Sequence, residues 1–133
     1  MARRRIEWAD GDAALSRWAD GATDRATVAT AVRYALEELT ARAPGNSVEV
    51  RVPPFGVAQC VAGPRHTRGT PPNVIETDAP TFLGLVSGRT RWEAALASGA
   101  VAASGTRADL SDLMPLWSRF ATGPGTGPGT ATD

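Results

Sequence analysis

The apolar positions of the chain keep a helical period first, then a strand period, then a helical period again. In "TDRATVATAVRYALEELTARAPG", Val28, Val32, Ala35, Leu36 and Leu39 recur at i, i+4, i+7, i+8 and i+11, which is one stripe of an α-helix. Thr23 or Asp24 is placed to cap its start, and Pro44 and Gly45 end it. Leu36 sits at the centre of that stripe. Upstream, "DGDAALSRWADG" predicts a shorter helix over Asp10–Ala19, with Leu15 and Trp18 on one face. In "NSVEVRVPPFG" the period drops to two. Val48, Val50 and Val52 alternate with Glu49 and Arg51, as in a strand with one wet face. Pro53, Pro54 and Gly56 make a turn. "VAQCVAG" returns as a second strand, antiparallel to the first, and "NVIETD" is a third.

Helical punctuation then resumes. "DAPTFLGLVSG" places Phe82, Leu85 and Val86 together and stops at Gly88. "TRWEAALASG" opens with Thr90 and has Glu93 three residues on, the spacing of a capping box. It ends at Gly99. "AVAASG" reads as a fourth strand around Val101. "DLSDLMPLWSRF" predicts a last helix capped by Ser111, with Leu110, Leu113, Met114 and Trp117 on one face and Pro115 in its first turn. Clustered strands with segregated helices predict an α+β fold. It would be a single small sheet of four to five mostly antiparallel strands, with helices packed on one face.

Composition narrows this plan little. The 133 residues fit one domain, expected over 1–120. The closing "ATGPGTGPGTATD", 121–133, has no side chain large enough to repay its ordering entropy and is expected to be a disordered tail. All fourteen basic residues are arginines and balance fourteen acids. A net charge of zero gives no general pull toward nucleic acid or anionic membrane. The Arg3–Arg5 triplet is offset by Glu7, Asp10 and Asp12. No apolar run is long enough for a membrane span, and the start lacks the apolar stretch of a signal peptide. The expected location is the cytoplasm.

"VAGPRHTRGTPPNVIETD" concentrates the candidate chemistry. His66, the one histidine, lies between Arg65 and Arg68. A general base needs a nucleophile and an orienting acid, and no recognised spacing supplies them. One histidine and one cysteine do not make a metal site. No catalytic residue, metal or cofactor is therefore expected. The segment reads as a surface loop between the second and third strands. Arg65 and Arg68, with His66, are suited to gripping a carboxylate or phosphate. Cys60, flanked by Ala58 and Ala62 on its side of the strand, reads as a buried, inert thiol.

"TFLGLVSGRTRWEAALASGAVAASG" resembles the C-terminal half of the sterol carrier protein 2 family. The matching positions are Asp78, Thr81, Phe82, Leu85, Gly88, Ser98, Gly99 and Val101. "LMPLW" resembles the family's closing segment. "GNSVEVRVPPFG" and "HTRGTPPNV" are similar to its short, stand-alone bacterial orthologs. The resemblance covers about Thr23 to Trp117. It departs at Gly105-Thr106, where the family commonly has Gly-Asp, and the sheet is one strand short. The resemblance implies an apolar cavity between sheet and helices holding a fatty acyl chain or sterol-like lipid. Phe82, Leu85, Leu113, Met114 and Trp117 are the residues expected to line it, and Arg65, His66 and Arg68 the ones expected at its mouth. A non-enzymatic lipid carrier is the leading expectation. An accessory module with a protein partner, related to the C-terminal domain of bacterial thiol-dependent isomerases, is the alternative. An independent hydrolase or isomerase comes last.

Overall fold

The computed structural model describes residues 5–63 and 73–121. The Arg65, His66 and Arg68 segment and the tail beyond 121 lie outside the described residues. Two helices come first: α1 (Trp8–Ala19) and α2 (Arg25–Arg42). They lead into β1 (Val48–Val52), β2 (Gly56–Cys60) and β3 (Asn73–Thr77). Then follow α3 (Ala79–Ser87), α4 (Trp92–Ser98) and β4 (Val101–Ser104). Two short 3-10 turns, Ser111–Leu113 and Ser118–Phe120, close the described chain.

The sheet order is β2-β1-β3-β4. β1–β2 and β3–β4 are antiparallel, whereas β1–β3 is parallel. The parallel pair needs no long crossover. Val48 is opposite both Cys60 and Asn73, so the chain leaves β2 and re-enters β3 at the same end of the sheet.

The valine alternation does what its period requires. Val48, Val50 and Val52 are buried, with Ile75 beside them on β3. The opposite face carries a polar ladder. Asn46 Nδ2 donates to Gln59 Oε1 (2.7 Å), and Arg51 Nε donates to Glu49 Oε2 (2.6 Å). The described helices therefore cover one face only. Their apolar sides (Leu15, Val32, Leu36, Leu39, Phe82, Leu83, Leu85 and Val86) form one core with the valines. Asp24 caps α2 by accepting from the Thr27 N–H (3.1 Å) and hydroxyl (2.9 Å). Asp78 caps α3 through the Thr81 N–H (2.8 Å). Gly88 and Gly99 end α3 and α4 at φ 84° and 82°, a left-handed conformation that favours glycine.

Three expectations are corrected. The Thr90–Glu93 capping box does not form: α4 starts after Arg91, with no side-chain cap. Thr90 is instead committed to the end of α3. Its N–H donates to the Gly84 carbonyl (3.1 Å), and its hydroxyl lies where a Cβ on Gly84 would fall. The second strand ends at Cys60 rather than reaching Ala62, because Val61 turns to φ 67°. There its carbonyl accepts from the Ser47 N–H (3.0 Å) and hydroxyl (2.8 Å). The last helix is absent. Met114 is extended before Pro115, as residues preceding proline tend to be. The N–H groups of Leu116 and Trp117 both donate to the Val86 carbonyl (2.9 Å each). This lays the segment across α3, and Leu116 and Phe120 become its buried anchors.

Candidate ligand site

The side chains expected to line a cavity are placed individually. Phe82 and Leu85 are buried in the core, while Leu113, Met114 and Trp117 are half-buried against it. Leu85 and Met114 share a groove of about 210 Å³ with Trp92 and Pro115. Trp117 stacks on Tyr34, with ring centroids 5.5 Å apart. Phe82, Leu113 and Trp117 do not line that groove.

A larger cleft, about 570 Å³, opens between α2 and the β2 edge of the sheet. This lies within the ~300–1,000 Å³ usual for small-molecule sites. Its apolar lining is Ile6, Leu36, Val57 and Ala58, and its polar rim includes Arg5, Arg33, Glu37 and Thr40. Local sequence explains the shape. Gly56 lets α2 approach closely: a Cβ there would stand 2.9 Å from Leu36 Cδ1. Ala58 is small and leaves room beyond that contact. The segment before α1 crosses to α2, where the Ile6 N–H donates to Glu37 Oε1 (3.3 Å). Arg33 is anchored by its Nε, which donates to the Phe55 carbonyl (3.0 Å). That bond does not commit its two terminal nitrogens.

The roots of the arginine and histidine segment are fixed. Buried Asn73 donates through Nδ2 to the Ser47 carbonyl, and its Oδ1 accepts from the Arg107 N–H (2.8 Å each). Cys60 is buried, and burial pushes its thiol from 9.0 up to about 11. A thiol so protonated is a poor nucleophile at neutral pH. Among the described residues, no group of three or more His, Cys, Asp or Glu converges as a metal site. No described helix is long and apolar enough to cross a membrane.

A family described as bacterial SCP ortholog matches residues 24–116. The chain belongs to that family. The match spans α2 to the segment before Trp117, so the α2–β2 cleft falls largely within the part shared by SCP orthologs. α1 and the Arg5-Ile6 segment of the cleft wall lie outside it. Comparison with curated proteins gave no match for this SCP ortholog.

Proposed function

We propose that this SCP ortholog is a non-enzymatic carrier of an apolar ligand, a fatty acyl chain or a sterol-like lipid. The α2–β2 cleft is its binding site. The observation that carries this reading is the cleft itself: an apolar floor of Ile6, Leu36 and Ala58 under a rim with two arginines. Membership of the SCP family supports the ligand class. Burial drives the binding, since each methylene leaving water gains about 0.8 kcal/mol. Arg5 and Arg33 supply donors for a carboxylate head.

Delipidated protein titrated with a fluorescent fatty acid tests the reading. Saturable binding is expected, and Ala58→Trp, which fills the cleft, should abolish it without unfolding the protein. Binding that survives Ala58→Trp at full affinity would move the site elsewhere.

A further inference from the structure

β2 is the edge strand beside the cleft, and among the described residues it pairs with β1 alone. Edge strands of soluble proteins are usually blunted by charge, proline or a bulge, because an open edge recruits another strand. Gly56–Cys60 contains no charged residue and no proline, and Val57 stands 59% exposed on it.

α2 runs alongside β2 in the same direction. Arg33 is level with Phe55 through its 3.0 Å bond, and Ala43 is level with Val61 through a 2.7 Å bond. The cleft-lining positions Thr30, Arg33, Glu37 and Thr40 form one stripe of α2. About position 35 that stripe is a palindrome with its charges reversed: Thr30 mirrors Thr40, and Arg33 mirrors Glu37. Position 35 falls beside Gly56 and Val57.

We propose that β2 pairs antiparallel with the β2 strand of a second copy of this chain, about a two-fold axis beside Val57. An isologous interface requires a patch complementary to itself, and the stripe meets that requirement. A two-fold axis normal to the sheet keeps both α2 helices on the same face and sets them antiparallel. Arg33 of each copy then faces Glu37 of the other, twice across the axis. One oxygen of Glu37 takes the Ile6 N–H, and the other is directed to the second copy's arginine. The two clefts meet mouth to mouth, with ionic rims closing over a shared apolar floor. This pairing goes beyond the carrier reading and does not depend on any ligand.

Sedimentation of the delipidated full chain at tens of micromolar tests it, with circular dichroism as the check on folding. The wild type should sediment as a dimer. Arg33→Glu and Glu37→Arg should each be monomeric, because each variant opposes like charges twice. An equimolar mixture of the two variants should form a heterodimer, an acidic stripe meeting a basic one, and high salt should weaken it. Val57→Lys, which adds a charge at an already exposed position, should be monomeric while fully folded. A monomeric wild type overturns the proposal, as does a charge-variant mixture that stays monomeric. So does a dimer that persists in Val57→Lys.

Discussion

The rings of Tyr34 and Trp117 lie 5.5 Å apart and only 9° from parallel. The stack joins the middle of α2 to a segment with no regular structure of its own. Arg42 reaches the other ring partner, its guanidinium carbon 5.8 Å from the Trp117 centroid. Aromatic pairs of this kind are worth about 0.5–1.5 kcal/mol beyond their buried area. Trp117→Ala should therefore destabilise the fold by about 1–3 kcal/mol in denaturant titration, and Trp117→Phe by much less. Equal losses for the two variants would show that the stack contributes nothing specific.

Tyr34 is also what makes Gly11 necessary. A Cβ at Gly11 would come within 2.2 Å of the Tyr34 ring. Alanine in a helix interior is ordinarily favoured over glycine by roughly 0.5–1 kcal/mol. Overpacking a well-filled contact costs about 1–3 kcal/mol, so the clash wins. Gly11→Ala should lower the melting temperature, and pairing it with Tyr34→Leu should recover part of the loss.

Cys60 gives a pH-dependent readout. Its folded-state value of about 11 stands above the ordinary 9.0, so the native protein holds that proton more tightly than the unfolded chain. The resulting stability is complete below about pH 9 and is lost as pH rises through the window to about 11. Iodoacetamide at pH 8 should modify Cys60 slowly in the native protein and quickly in denaturant. Rapid native labelling would mean that the β2 edge opens.

Two arginine pairs are candidates to hold an anionic head group. Arg5→Gln/Arg33→Gln should weaken a fatty acid more than its neutral alcohol analogue if the rim of the cleft meets the carboxylate. Arg65→Gln/Arg68→Gln should do so if the sequence expectation for that segment is correct. Titrating both analogues into both variants separates the two, and the charge-dependent part should shrink in high salt.

Much of the architecture was legible because local periodicity and tertiary burial agree. The α2 stripe, the alternating valines of β1, the cap at Asp24 and the stops at Gly88 and Gly99 each follow from nearby residues. The closing segment misled because Leu110, Leu113, Met114 and Trp117 mimic a helical face. Pro115 and two N–H groups drawn to the Val86 carbonyl decide otherwise. That carbonyl belongs to α3, so nothing local announces it. The cleft was invisible for the same reason. It exists because Gly56 admits Leu36, because Ala58 is small, and because Ile6 reaches Glu37 across the molecule. Only the three-dimensional meeting of α2 with an edge strand brings these together.

The placement of β1 between an antiparallel and a parallel neighbour carries a consequence for the order of folding. β1 and β2 are joined by a tight turn, and Val61 ties the end of their hairpin to the end of α2. This helix–hairpin unit has short loops to close and can assemble early. β3 must arrive at β1 from beyond the 64–72 segment, and closing a longer loop costs more chain entropy before any contact repays it. The central seam of the finished sheet is thus expected to form last. Truncating Ile75, on the arriving strand, should mainly speed unfolding, whereas truncating Val50, within the early unit, should slow folding itself.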